Sequence, residues 1–138
     1  MVTTDISKMD VDLIHNYLSH AYWCEGIQKE TVKKAMENSL CFGIFQDDKQ
    51  VGFARVVSDF STYGYLCDVF ILEAYRGRGL SKKLMEAVMS HPKLQGFRRF
   101  TLATKDAHGL YKKFGFTELK APDRFMEIHR PGVYKSNV

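Results

Sequence analysis

Between positions 76 and 83 the chain reads Arg-Gly-Arg-Gly-Leu-Ser-Lys-Lys, which sets four cations and two glycines at the start of a helical pattern. A helix start carries partial positive charge, so each exposed cation there costs roughly 0.3–1 kcal/mol, and acids are the usual occupants. No acid occurs until Glu86. Gly77 and Gly79 lack a Cβ, so the backbone can turn sharply and approach a ligand while the free N–H groups of the first helical turn point at it. The segment therefore suits an anion. A glycine turn ahead of a solvated basic helix end is the plainer alternative, and the excess of cations weighs against it. A Walker loop needs Gly-Lys followed by Ser or Thr, which is absent, and a dinucleotide fingerprint needs glycine at position 82, where Lys82 stands.

Asp68 interrupts an otherwise apolar run, Tyr65-Leu66-Cys67-Asp68-Val69-Phe70-Ile71-Leu72. A charge inside a buried strand is usually paired or functional, which makes Asp68 a candidate general base or amine anchor. A salt bridge to Arg55 on the neighbouring strand is the alternative, and a bulge would decide which face it takes. Tyr22, Trp23 and Glu25 cluster where the first helical pattern breaks. Aromatic rings beside a carboxylate suit a cationic amine, although a lone tryptophan also serves as core. Asp106 and His108 read as helix-start residues. Cys24, Cys41 and Cys67 include no C-x-x-C pair and no histidine at metal-ligand spacing, so the expectation is a reduced, cytoplasmic protein without a metal.

The elements that position these groups follow from periodicity. Asp10 caps a helix over about 10–20 with Ile14, Tyr17, Leu18 and Ala21 on one face, and a second short helix carries Val32, Ala35 and Met36 and ends by Asn38. Strand-like runs at 39–46, 50–59 and 63–72 with short connections imply an antiparallel meander. The period becomes helical from Gly79 until Pro92; a strand at 98–104, a helix at 106–114 closed by Gly115, and a terminal strand around 125–129 complete the chain. Strand 63–72, its helix and strand 98–104 make a right-handed βαβ unit, so these two strands should be parallel neighbours.

Arg76-x-x-Gly79-x-Ser81 follows a strand ending Val69-Phe70-Ile71-Leu72 and precedes, by about thirty residues, Leu110-Tyr111-Lys112-Lys113-Phe114-Gly115-Phe116. This pair of motifs resembles the GNAT superfamily of N-acetyltransferases, whose signature is Gln/Arg-x-x-Gly-x-Gly/Ala with a later Leu-Tyr-x-x-x-Gly-Phe. The likeness in element order spans about residues 5–128. Two positions depart from the pattern: Ser81 replaces Gly or Ala, and Thr104 stands where many members carry an Asn that bonds the cofactor arm.

The resemblance implies an α/β (α+β) fold with a mixed, mostly antiparallel sheet, a splayed parallel strand pair, and helices on both faces. It implies acetyl-coenzyme A as donor, its pyrophosphate on Arg76, Gly77, Arg78, Gly79, Leu80 and Ser81. The pantetheine arm would lie along Val69, Phe70 and Ile71, near Thr104, and a backbone N–H of that strand would stabilise the oxyanion. Tyr111 would be the general acid, with packing as its alternative because Ala107, Leu110, Tyr111 and Phe114 fall at helical core spacing. Tyr22, Trp23 and Glu25 would border the acceptor pocket, and the amine would attack directly, without a covalent enzyme intermediate.

With 138 residues, 45% hydrophobic and 26% charged, and no composition shift to divide them, residues 1–138 read as a single domain. A net charge of +4 spread along the chain fits a small polyanion rather than nucleic acid. There is no apolar stretch of the roughly eighteen residues a membrane span requires and no basic-then-apolar leader pattern, so neither membrane nor export is expected. The expected acceptor is a small-molecule amine or a protein amino group, in a monomer or a homodimer. A non-catalytic acyl-coenzyme A-binding module is the alternative function.

Overall fold

The computed structural model describes residues 1–135. The chain forms β1 (Val2–Thr3), α1 (Val11–His20), α2 (Lys29–Glu37), β2 (Leu40–Gln46), β3 (Lys49–Ser58), β4 (Tyr63–Ile71), α3 (Leu80–Ser90), β5 (Arg99–Leu102) and α4 (His108–Lys112), with short 3-10 turns between. The five strands lie in sequence order in one sheet, antiparallel from β1 to β4, and β4 and β5 are parallel across the α3 crossover. This is the mixed sheet that the resemblance implied.

Alternation along the strands builds two cores. Phe42, Ile44, Ala54, Val56 and Leu66 meet Leu84, Met85 and Val88 of α3 on one face. Cys41, Phe53 and Phe70 meet Ile14 and Leu18 of α1 and Val32 and Met36 of α2 on the other. Helices thus cover both faces. Asp10 caps α1 through Oδ1, which accepts the Leu13 N–H at 3.0 Å, as the sequence predicts.

Three expectations are corrected. The strand expected at 98–104 is only Arg99–Leu102, because its ladder with β4 ends at the pair Leu66–Leu102. The helix expected at 106–114 is His108–Lys112: the Thr104 hydroxyl takes the Ala107 N–H at 3.1 Å before it, and Gly115, at φ +94°, lets the Phe116 N–H turn back to the Tyr111 carbonyl after it. The strand expected around 125–129 does not form, since strand-like composition makes no strand without a neighbour to take its backbone hydrogen bonds.

Candidate active site

Beyond Leu66, β4 continues for five residues to Ile71 without β5 beside it, so one side of Cys67–Ile71 is left without ladder partners. The same stretch contains a bulge. Arg55 pairs with Cys67 and Phe53 with Phe70, so Asp68 and Val69 together oppose Ala54, and Asp68 takes φ +54°. The bulge switches the alternation: Leu66 faces the α3 core, whereas Phe70, four positions on, faces the α1–α2 core.

Asp68 itself is engaged on both oxygens. Oδ2 accepts from Arg55 Nε at 2.9 Å, and Oδ1 accepts from the Trp23 indole N–H at 2.9 Å. Arg55 in turn donates from Nη1 to the Ser39 hydroxyl at 3.0 Å. The Arg55 and Asp68 side chains are only 18% and 12% exposed, which limits solvent screening of the pair. The salt bridge posed as the alternative for Asp68 is therefore present, with a tryptophan added to it.

At the start of α3, Gly77 has φ +79° and Gly79 φ +75°, a region that favours glycine. A Cβ at either would meet no atom within 4 Å, so backbone conformation, not packing, requires them, and the space beside them is open to a ligand. No side chain caps α3 and its first turn holds no acid; the first bond runs from the Lys83 N–H to the Gly79 carbonyl at 3.2 Å. The N–H groups of Leu80, Ser81 and Lys82 precede that bond and have no partner within the helix. Arg76 donates from Nε to the Ile71 carbonyl at 3.0 Å and from Nη2 to the Tyr17 hydroxyl at 3.1 Å, and Tyr17 stacks on Phe70 at 3.9 Å. It occupies the carbonyl that the splay leaves open and ties α1 to the end of β4. Arg78 turns onto the Tyr75 ring at 5.1 Å.

One cleft of about 950 Å³ joins these parts. Val69, Phe70, Ile71, Arg76, Gly77, Gly79, Leu80 and Ser81 line it, as do Tyr22, Trp23 and Tyr111. Tyr111 is 8% exposed and packs edge-on to Phe116 at 6.1 Å. Burial, and secondarily the Tyr22 hydroxyl, push its phenol above the ordinary value, so it holds its proton at neutral pH. Tyr22 and Trp23 meet edge to face at 5.1 Å, and Lys105 lies 5.3 Å over the Tyr22 ring.

Four predicted residues stand apart, the first being Asp68, which is engaged by Arg55 and Trp23 and does not line the cleft. Glu25 pairs with Lys135 at 2.7 Å and does not line the cleft. Thr104 spends its hydroxyl on the turn into α4, and Arg78 lies outside the lining. Conversely, Asn16, Tyr17, His20, Glu73, Tyr75 and Asp106 line the cleft without having been assigned to it. Asn16 and His20 are one helical turn apart on α1, a spacing that could have marked a shared face. Asp106, read as a helix-start residue, makes no side-chain cap of α4. Among the described residues, no group of three or more His, Cys, Asp or Glu could hold a metal ion, and no helix is long and apolar enough to cross a membrane.

Comparison with known proteins converges on one family. The model of the acetyltransferase (GNAT) family matches residues 11–116. A Gibberella zeae protein that carries the name of an acetyltransferase, FG08082, is 31% identical, the match covering 82% of this chain and 76% of that protein. Among solved structures, a Xanthomonas campestris pv. campestris protein assigned to the GNAT acetyltransferases is 53% identical with a TM-score of 0.97, covering 99% of this chain and 96% of that one. A Clostridium acetobutylicum protein solved with acetyl-CoA shares the fold at 16% identity and a TM-score of 0.66, covering 94% and 96% of the two chains.

Proposed function

Because the chain belongs to the acetyltransferase (GNAT) family and is a transferase, we propose that it moves an acetyl group from acetyl-CoA directly to a primary amine. The observation that carries this reading is the single cleft joining the α3 anion seat to the unpaired end of β4 and to Tyr111. The pyrophosphate would sit on the free N–H groups at Leu80 and Ser81, close to Gly77, Gly79 and Arg76. The pantetheine arm would run along Val69–Ile71, whose open backbone groups offer the hydrogen bonds of a missing strand.

An alkylamine with a pKa of about 10.4 arrives protonated and must lose a proton before attack. Glu73 and Asp106 line the cleft with no ion pair on either carboxylate among the described residues, so they are placed to take it, directly or through water. The amine nitrogen then bonds the thioester carbonyl carbon, and a β4 backbone N–H near Val69 stabilises the oxyanion. As the C–S bond breaks, the thiolate takes the Tyr111 phenol proton, the nitrogen of the adduct gives up its second proton to solvent to leave the neutral amide, and solvent restores the phenol. Asp68, held by Arg55 and Trp23, positions the cleft wall and takes no proton. Tyr22 and Trp23 form the aromatic side of the acceptor pocket.

Release of free thiol from acetyl-CoA, measured against a panel of primary amines, tests the reading. Amine-dependent release that Tyr111→Phe slows is the expected result. Acetyl-CoA binding with no release for any amine would instead identify a binding module.

A further inference from the structure

We propose that Lys105 is a site of self-modification: its ε-amine takes the acetyl group from the acetyl-CoA bound in the cleft of the same molecule. This rests on the acetyl transfer inferred above and adds an acceptor that the chain itself carries. β5 ends at Leu102 and α4 begins at His108. Residues 103–107 between them pass the open end of β4, since Asp106 and Ala107 line the cleft together with Val69, Phe70 and Ile71. The Thr104 hydroxyl, taking the Ala107 N–H at 3.1 Å, fixes this connection, and Lys105 is borne on it.

The Lys105 ammonium already sits on the wall offered to a substrate amine. It lies 5.3 Å over the Tyr22 ring, and Tyr22 lines the cleft with Trp23 and Tyr111. The Tyr22 hydroxyl is near enough to Tyr111 to act on its phenol, so the ammonium, the ring and the general acid form one group. Aromatic rings draw alkylammonium groups, and here one is in place. Among the described residues Lys105 has no ion pair, so no carboxylate has to release it before it moves toward the thioester. Its four-carbon stem is flexible. A reactant tethered in this way meets the thioester at an effective concentration well above that of a free amine.

Lys49 supplies the contrast. It too lies over a ring of the cleft, 5.6 Å from the Tyr75 centroid, but Tyr75 also carries Arg78 at 5.1 Å and belongs to the turn that leads into α3, the phosphate end. In the step itself, Lys105 Nζ gives one proton to Asp106 or Glu73, directly or through water, and bonds the thioester carbonyl carbon. The C–S bond breaks, the thiolate takes the Tyr111 phenol proton, and the nitrogen's second proton goes to solvent, which leaves Nζ-acetyl-lysine and free coenzyme A; solvent restores the phenol. The neutral amide loses its electrostatic hold on the Tyr22 ring, so the aromatic wall is freed for the next amine.

Incubation of the full chain with excess acetyl-CoA and no amine, followed by peptide mass mapping, tests this. Lys105 should gain one acetyl group at least about tenfold faster than Lys49, with a rate constant unchanged by diluting the protein. Tyr111→Phe should slow Lys105 acetylation about a hundredfold and leave that of Lys49 as it was. Tyr22 is 59% exposed, so Tyr22→Leu keeps the fold, and it should slow Lys105 acetylation about threefold. Equal acetylation of Lys105 and Lys49, or a Lys105 rate indifferent to Tyr111→Phe, overturns the proposal in favour of direct reaction with acetyl-CoA from solution. A rate constant that rises with protein concentration overturns it in favour of transfer between copies. Thiol release with the amine panel, run on the same preparation, separates this proposal from the one it rests on. Release without Lys105 acetylation overturns self-modification alone, and neither release nor acetylation overturns both.

Discussion

The Trp23 indole N–H donates to Asp68 Oδ1 at 2.9 Å, so a carboxylate on the β4 bulge fixes an aromatic ring of the cleft wall from 45 positions away. Arg55 fills the other oxygen. A carboxylate so held is an anchor for the α1–α2 connection.

An anchor and a base fail differently. Loss of a general base typically costs about 10²–10⁴-fold in turnover. Asp68→Asn should cost less than about tenfold in kcat and raise KM for the amine instead. Asp68→Ala should also destabilise the fold by about 3 kcal/mol, because it leaves Arg55 without its carboxylate. Trp23 is the only tryptophan, so its fluorescence reads the cleft wall directly, and Asp68→Asn should alter its emission. A kcat loss of a thousandfold with unchanged emission would return Asp68 to the role of base.

Tyr111→Phe should lower kcat about a hundredfold and leave KM for acetyl-CoA nearly unchanged. The pH profile gives a second check. Burial raises the phenol above its ordinary value, so the protonated acid persists through neutral pH and the alkaline fall in kcat should begin only above about pH 10. That limb should be missing in the phenylalanine variant. An alkaline limb identical in both proteins would assign it to another group.

The contrast between Asp68 and Tyr111 marks how much was legible in the sequence. The motif around Arg76–Ser81 and the later Leu110–Phe116 pattern are local, and local backbone demands such as φ +79° at Gly77 and φ +75° at Gly79 write themselves into residue type. Helix caps and strand order are read the same way. The face of Asp68 was not readable, because it depends on a bulge that only the Arg55–Cys67 and Phe53–Phe70 pairings reveal. Glu25 looked like a pocket carboxylate until Lys135, 110 positions on, claimed it. Glu73 carries no local mark, and the local mark of Asp106 pointed to a helix start instead; both reach the cleft because of where α1, β4 and α4 meet.

Arg76 joins the Ile71 carbonyl to the Tyr17 hydroxyl, so its removal should affect donor binding and the shape of the cleft together. Arg76→Ala should weaken acetyl-CoA binding about tenfold, and Arg76→Lys should recover only part of it, since an ammonium cannot reproduce the planar fork. Gly79→Ala should cost about 1–2 kcal/mol in stability from the left-handed backbone alone, with further loss of donor affinity as the methyl enters the open space beside the helix start. Calorimetric titration with acetyl-CoA distinguishes these outcomes. Equal donor affinity in all three variants would remove the anion seat from this loop.

The three thiols predict how the fold responds to alkali. Burial pushes Cys24, Cys41 and Cys67 each up to about 12 from an ordinary 9.0, with the Asp68 carboxylate adding to the rise and Arg55 opposing it. A group whose folded pKa is raised contributes stability that is intact below its unfolded pKa and is lost as pH climbs toward the folded value. The unfolded chain therefore releases thiol protons from about pH 9 while the folded chain keeps them, and the free energy of unfolding should fall across pH 9 to 12. Thermal melts over that interval should show a declining Tm, with a shallower decline in Cys41→Ala. A slope unchanged by removing Cys41 would place the alkaline loss on other groups.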